Sequence, residues 1–369
     1  MRILFLISSL NSGGAERVAS TLCNAWSARG DSVLLVPTFS GGGAPFYKMR
    51  DDVVVTYLSD LLETKGRKSK RYFERLKTLR SLVRNSTPDI VISFLPNVNV
   101  AALLATAFTK VPNVICERSD PSMMPIGRLW RSACNASYRF ADLLTVQTEA
   151  VKASIPKVYG GLSRVAVVPN PLPEGLLDYR AGLNAGKERK VLLSLGRLSE
   201  EKRVGQIIDV FTDLSPHFPD WDLHIYGDGP ERDQHAFTVE RRGLKHRVFL
   251  QGKTCVPWSV MAAVDAFVMN SRFEGFPNAL MEAMGVGLPC VASDCPSGPR
   301  EISRGGNDAL LIPSGDSSSL HSALSCLMSD SDLRRDLGER ARESVVTRYS
   351  LNAVLEIWDE LFKQVGARK

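Results

Sequence analysis

Short, unbroken runs of Val, Ile and Leu, each followed by a helical pattern, constrain this chain more than any other feature. In the first half the runs are Arg2–Ser8, Ser32–Val36, Asp89–Phe94, Asn113–Glu117, Leu143–Gln147 and Val165–Val168. They are continuous rather than alternating, as in strands covered on both faces, and sheets covered on both faces are parallel. Helical patterns fall between them, as at Ala15–Arg29, closed by Gly30, and at Asn99–Phe108. This alternation specifies a doubly wound α/β domain. Pro169-Asn170-Pro171-Leu172-Pro173 and the Gly/Asn/Lys-rich stretch to Lys187 then read as an extended connector.

Beyond the connector the rhythm restarts, with strands at Lys190–Leu195, Asp222–Tyr226, Val248–Gln251, Ala266–Asn270, Pro289–Ser293 and Ala309–Ile312. Helices are expected near Val204–Leu214, Glu231–Gly243 and Ala279–Val286. A length of 369 residues suits two such domains. We expect Rossmann-like domains at 1–172 and 187–349, with a final helix at 350–366, capped by Ser350, packing back on the first. Two such domains bind ligands in the cleft at the carboxyl ends of their sheets.

Composition narrows the class. A hydrophobic content of 44% and a charged content of 23% are those of an ordinary globular chain. No run reaches the about 18 apolar residues of a bilayer-spanning helix. Met1 to Leu10 lacks a charged start and a small-residue cleavage site, so it reads as a first strand and the protein as cytoplasmic. Seven scattered cysteines (Cys23, Cys116, Cys134, Cys255, Cys290, Cys295, Cys326) form no C-x-x-C pair. They indicate neither a disulfide framework nor a zinc site and read as buried thiols.

The net charge of +6 asks for a polyanionic partner. Cations crowd one segment, Lys65–Arg84, relieved only by Glu74, where Tyr72, Phe73, Leu76, Leu79, Leu82 and Val83 give a helix an apolar side. That pattern suits docking on an anionic membrane surface, or an acceptor phosphate; a solvated helix face is the alternative. No aromatic platform accompanies it, so nucleic acid is not an expected partner.

Three loops carry chemistry. Asn11-Ser12-Gly13-Gly14-Ala15-Glu16 joins a strand to a helix, where adjacent glycines and unpaired helix N–H groups admit a phosphate; a plain tight turn is the alternative. It is not G-x-G-x-x-G, and no acidic residue follows at the ribose spacing, so a dinucleotide is disfavoured. Gly196-Arg197-Leu198-Ser199-Glu200-Glu201-Lys202 places two cations beside a helix start, against the macrodipole. An anion held between them would resolve that conflict, as would surface pairs with Glu200 or Glu201. Ser271-Arg272-Phe273-Glu274-Gly275-Phe276-Pro277-Asn278-Ala279-Leu280-Met281-Glu282 leaves Glu274 in a loop, Pro277 in a first helical turn and Glu282 inside the helix. A carboxylate within a helix can accept both hydroxyls of a ribose, and one in the loop can reach a sugar ring.

Glu274 and Glu282 stand in the E-x7-E arrangement of retaining glycosyltransferases of family 4, and Gly287-Leu288-Pro289 after them is similar to that family too. Arg197 and Lys202 resemble its cationic pair; Gly13-Gly14-Ala15-Glu16, Tyr226-Gly227-Asp228-Gly229 and Asn170-Pro171 resemble its other markers. The resemblance implies a GT-B architecture, a nucleotide-diphosphate sugar donor and retention of the donor's configuration. It places Glu282 on the ribose, Arg197 and Lys202 on the diphosphate, Glu274 on the donor sugar, and Gly13 and Gly14 on the phosphates. The Gly275–Phe276 backbone, with Pro277 and Asn278, would meet the leaving group. Many members carry a histidine where this chain has Cys116-Glu117-Arg118-Ser119-Asp120-Pro121, and Arg118 stands in its place. The same segment and the basic helix resemble members that extend polyprenyl-diphosphate-linked oligosaccharides or surface polysaccharides.

The expected enzyme moves a hexose, N-acetylhexosamine or uronic acid from an NDP-sugar, UDP before GDP, to a lipid-linked glycan. It would act as a monomer, peripheral to the inner membrane face, with no cofactor and no metal. Asp220-Trp221-Asp222 spells D-x-D but enters a strand, and Asp330-Ser331-Asp332 looks like a helix cap. Glu16 and Arg118 are candidate acceptor contacts and Asp120 a candidate catalytic carboxylate; for Glu16 and Asp120 a merely structural role is the alternative. Arg300 could favour a donor bearing a carboxylate, or pair with Glu301. A nucleotide-sugar epimerase of the same architecture, or an inactive nucleotide-sugar-binding protein, are the rival readings; product release with and without acceptor separates them.

Overall fold

The computed structural model describes residues 1–62, 68–123, 127–162, 164–182 and 188–367, with the backbone alone for 68–71. It divides into two compact units, Met1–Pro171 with Asn352–Lys369, and Leu172–Leu351.

Unit 1 winds as β1 (Arg2–Ile7), α1 (Gly14–Ala28), β2 (Ser32–Pro37), β3 (Val54–Val55), α2 (Lys68–Ser86), β4 (Ile90–Phe94), α3 (Pro96–Thr106), β5 (Asn113–Cys116), α4 (Arg128–Ser137), β6 (Leu143–Val146), α5 (Glu149–Val158) and β7 (Val165–Val167). Every pairing is parallel, in the order β3-β2-β1-β4-β5-β6-β7. β4, β5 and β6 are buried at every residue. That is why their sequences are continuous apolar runs.

Unit 2 winds as β8 (Lys190–Leu195), α6 (Val204–Leu214), β9 (Trp221–Tyr226), α7 (Arg232–Arg241), β10 (Val248–Gly252), α8 (Pro257–Ala262), β11 (Ala266–Met269), α9 (Asn278–Val286), β12 (Cys290–Asp294), α10 (Pro299–Ile302), β13 (Leu310–Pro313), α11 (Ser317–Ser329) and α12 (Ser331–Tyr349). Its parallel order is β10-β9-β8-β11-β12-β13. One core layer gathers Ile207, Phe211, Trp221 and Leu324; the other gathers Phe267, Leu280, Met284 and Tyr349. The last helix, α13 (Leu351–Gln364), belongs to unit 1 from Asn352 onward. Trp358 and Phe362 lie 5.6 and 5.7 Å from the Trp26 ring of α1. Burying each of these side chains contributes roughly 2–3 kcal/mol, ample to hold the helix.

Several expectations meet a correction here. Cys255 and Cys326 are exposed, unlike the other five thiols, because they lie in a loop and on the outer side of α11. The apolar side of the basic helix is not free: Leu79 and Val83 are buried in the unit 1 core, with Leu76 and Leu82 packed on it. An amphipathic helix on a sheet spends its apolar stripe inward. Lys65 and Arg67 lie outside the described residues. Pro277 precedes α9 as its N-cap rather than sitting in the first turn. Asp330, as the sequence suggested, caps α12 by accepting the Leu333 N–H at 2.9 Å. Among the described residues no helix is long and apolar enough to cross a membrane.

Candidate active site

In unit 2 the chain leaves β8 for β9 on one side, and later places β11 on β8's other side. Loops from two such strands diverge at their carboxyl ends, which opens a ligand crevice. The two loops there are 196–203, after β8, and 270–277, after β11. Both were singled out from sequence, and the structure brings them together. The Arg272 N–H donates to the Glu201 carbonyl at 2.7 Å, and Lys202 Nζ meets Glu274 Oε1 at 2.5 Å. Ser271 Oγ donates to the same Glu274 oxygen at 2.6 Å, and Ser297 Oγ donates to the Glu274 carbonyl at 2.6 Å. Glu274 is thus fixed through both its side chain and its backbone.

Arg197 differs from Lys202. It is exposed, and no carboxylate stands within ion-pair distance of it among the described residues. The backbone that presents it is nevertheless rigid. Gly196 N–H donates to the Tyr226 carbonyl and Leu198 N–H to the Asp228 carbonyl, both at 3.0 Å. A Cβ on Gly227 would fall 1.7 Å from the Gly196 carbonyl oxygen, and one on Gly229 2.2 Å from that of Leu198. Only glycines allow this crossing.

Glu282 sits on α9, 1% exposed, where Trp258 Nε1 donates to its Oε2 at 3.2 Å. The Phe276 side chain turns into the core against Tyr349, and the Gly275 carbonyl accepts from Ser297 Oγ at 3.3 Å. Pro277 is buried and Asn278 half-buried at the helix start. Arg300 pairs with Asp294, the carboxylate six residues earlier at the β12 end, rather than with Glu301, which was one of its two readings from sequence. Cys295 is buried beside this loop; burial and then the Glu274 charge push its thiol up to about 12, so it offers no thiolate. Asp222 pairs with Arg189 and Arg247, and Asp220 with Lys190 at 2.7 Å. Both stand at the amino end of β9, the edge opposite the loops. Among the described residues no group of three or more His, Cys, Asp or Glu is placed to hold a metal.

The carboxyl edge of unit 1 is built differently. Gly13 caps α1, and a Cβ there would lie 2.1 Å from Glu16 Oε2. Glu16 therefore curls back over the helix start, held by Ser9 Oγ at 2.9 Å, and supplies the negative charge that end attracts. Gly14 begins the helix and is exposed. Asp120 is 7% exposed and its Oδ1 accepts from Ser122 N–H, Ser122 Oγ and Ser154 Oγ at 2.7–3.0 Å. Those bonds make it the anchor of a turn.

Arg118 donates to Asn170 Oδ1, which also accepts from Gln147 Nε2 at 2.8 Å, and its guanidinium lies 4.3 Å over the Phe94 ring. Phe94, Arg118, Gln147 and Asn170 come from the ends of β4, β5, β6 and β7. Their neighbour Leu95 has φ +82, a strained conformation at the strand-to-helix turn. Behind them Glu117 is 2% exposed and accepts from Tyr138 Oη at 2.6 Å, with Tyr159 at 3.4 Å. Burial pushes its carboxyl up to about 7 despite those bonds. Sequence reading missed Phe94, Gln147, Ser271, Trp258 and Ser297. Their one available signal was position at or just past a strand end, or, for Trp258, a lone aromatic before a buried strand.

Two family models match the chain, each over nearly one unit: glycosyltransferase family 4 over residues 12–174, and glycosyl transferases group 1 over residues 177–344. The chain is a family 4-like glycosyltransferase of GT-B fold. An exopolysaccharide phosphotransferase of Streptomyces coelicolor is 29% identical over the whole of this chain, which spans 41% of that protein's length. In Campylobacter jejuni, an α-1,4-N-acetyl-D-galactosaminyltransferase acting on a diphosphoundecaprenol-linked glycan is 26% identical over 99% of both chains. The Anabaena HepE structure, in complex with UDP and glucose, superposes with a TM-score of 0.84 at 20% identity, covering 98% of this chain and 99% of that one.

Proposed function

We propose that this glycosyltransferase moves a hexose, N-acetylhexosamine or uronic acid from a UDP-sugar to a lipid-linked glycan, with retention and without a metal. The carrying observation is the unpaired Arg197 beside the Lys202–Glu274 pair, at the carboxyl ends of the adjacent strands β8 and β11. Breaking a sugar–phosphate bond puts negative charge on the departing diphosphate. A fixed cation in a braced loop stabilises that charge without reorganising. Lys202, already paired, holds Glu274 toward the sugar and shares its charge with the diphosphate. Glu282, buried against Trp258, takes the ribose, with Gly275, Phe276, Pro277 and Asn278 supplying backbone around the leaving group. On unit 1 the Gly13–Gly14 backbone receives an oxyanion when the Glu16 carboxylate gives up the start of α1 to it, and Glu16 and Arg118 face the acceptor. Unit 1 is then the acceptor domain and unit 2 the donor domain.

For retention, the departing phosphate oxygen takes the acceptor's hydroxyl proton while the new C–O bond forms on the same face. A covalent adduct on Glu274, trapped and seen by mass spectrometry, would overturn that step. UDP is preferred because a protein of the same fold holds it with glucose, and a diphospholipid acceptor because the Campylobacter relative is named for one. The enzyme acts as a monomer at the inner membrane face. Exposed Phe73, Lys77 and Arg84 of α2 carry that contact, beside Trp130 of α4, whose ring lies 6.2 Å from Tyr72. A thermal-shift screen of UDP, GDP and their sugars, followed by the anomeric configuration of the product by NMR, tests the reading. Stabilisation by UDP compounds and an α product are expected; stabilisation by neither nucleotide would end it.

A further inference from the structure

The least expected group in unit 1 is a charge with no carboxylate beside it among the described residues. Arg118 is part-buried, yet among the described residues no carboxylate lies within ion-pair distance of it. Its Nη2 reaches the neutral Asn170 amide, its face rests on Phe94, and its Nε is buried without a partner. Nη1 makes no bond to a described residue. Its neighbour Glu117 offers no help, since side chains alternate along an extended chain and Glu117 turns to Tyr138 and Tyr159. Asp120 is engaged by Ser122 and Ser154.

Taking a cation out of water without pairing it is costly, and proteins either pair such groups or use them. Burial accordingly lowers the Arg118 guanidinium to about 10, far below its ordinary value. The surroundings are nonetheless built, not loose. Gln147 holds Asn170, Asn170 holds one arm of the guanidinium, and Phe94 fixes its plane. A planar fork held this way with donors unspent matches an oxyanion. It also stands at the carboxyl ends of four adjacent parallel strands, where ligands of such sheets bind.

We propose that Arg118, oriented by Phe94, Asn170 and Gln147, is a receiving site for a substrate oxyanion, a phosphate or a carboxylate. The proposal deepens the function argued above by naming the chemistry of the substrate group that unit 1 recognises, and it rests on that reading for the group's origin. The site chooses a planar or tetrahedral anion over a neutral sugar hydroxyl, because only an anion repays the desolvated charge.

The test begins without turnover. Inorganic phosphate binding is measured by calorimetry on Arg197→Ala, which removes the exposed cation of the 196–203 loop, and on that variant carrying Arg118→Gln or Arg118→Lys. The expected result is that Arg118→Gln weakens phosphate roughly 10–100-fold and Arg118→Lys less, the charge being kept while the fork is lost. Equal phosphate affinity with and without Arg118 overturns the site. Steady-state arms then locate the anion, with Arg118→Gln in an otherwise unchanged enzyme. A KM raised only for a diphosphate-linked acceptor assigns the acceptor's phosphate; one raised only for UDP-glucuronate against UDP-glucose assigns the donor's carboxylate. Unchanged KM for all of these also overturns the site. Should no sugar transfer be found at all, the function reading fails while the phosphate measurement still decides this one. Arg118→Lys guards against a Gln variant that does not fold.

Discussion

The two sheets share a winding but furnish their carboxyl edges in opposite ways. Unit 2 offers an exposed, unpaired Arg197 on a loop whose backbone is pinned, and spends its second cation, Lys202, on Glu274. Unit 1 keeps its cation, Arg118, part-buried on an aromatic ring, and sets an internal carboxylate, Glu16, over the start of α1. An exposed cation on a rigid loop costs little to maintain and gains most when charge develops in front of it. A buried unpaired cation costs stability in the resting protein and gains when an anion arrives already charged.

The sharpest way to break this contrast is to remove the exposed cation. Arg197→Ala should lower turnover by roughly 10²–10³-fold in a single-turnover assay. Its melting temperature should stay within about 1 °C, because the side chain makes no ion pair among the described residues. Turnover within a factor of three of the parent would show that unit 2's edge is not where the diphosphate charge is met.

The second test lies behind unit 1's edge. Glu117 titrates at about 7 when folded, against an ordinary value of 4.5. Because burial raises the folded value, the folded state holds its proton longer than the unfolded one. Stability therefore falls as pH rises from about 4.5 to 7 and is level above, a change on the order of 3 kcal/mol. Glu117→Gln keeps an acceptor for Tyr138 and removes the charge, so urea denaturation should find that slope gone and the variant more stable at pH 8. A parallel pH profile in both proteins would contradict this account of the buried network.

Next in size is the membrane contact. Lys77→Glu with Arg84→Glu removes two exposed cations and should weaken binding to anionic vesicles by about 2 kcal/mol, roughly thirty-fold at low salt. Zwitterionic vesicles should bind neither protein well. Unchanged sedimentation with anionic vesicles would return α2 to a solvated face. The smallest effect belongs to Trp258→Phe, which withdraws the indole donor from Glu282 and should cost donor affinity about 1 kcal/mol, with kcat little altered.

Legibility followed the same divide. Strand positions were readable to within one or two residues, because strands buried on both faces must be continuous apolar runs and polar or turn-forming residues interrupt them. The Ser-rich start of α11 and the two-residue β3 were not, one lacking a clear stripe and the other any length. Unit 2's two candidate loops were readable because their residues are local: Glu274, Pro277 and Glu282 fall in one segment, and Arg197 and Lys202 in another. Its cross-loop pairing was not, since Lys202 and Glu274 are 72 residues apart. Unit 1's cluster was nearly invisible. Phe94, Arg118, Gln147 and Asn170 are scattered over four strand ends, and only the sheet order makes them neighbours. The apolar side of α2 was legible as a stripe but not in its direction, because a stripe alone does not say what covers it.

The proposed chemistry meets the charge of the leaving diphosphate with fixed groups on unit 2's carboxyl edge. Its most direct measurement is sugar transfer by purified enzyme in excess EDTA, beside the same assay with magnesium or manganese restored. The account predicts equal turnover in both. Loss of transfer in EDTA that either cation reverses would contradict it.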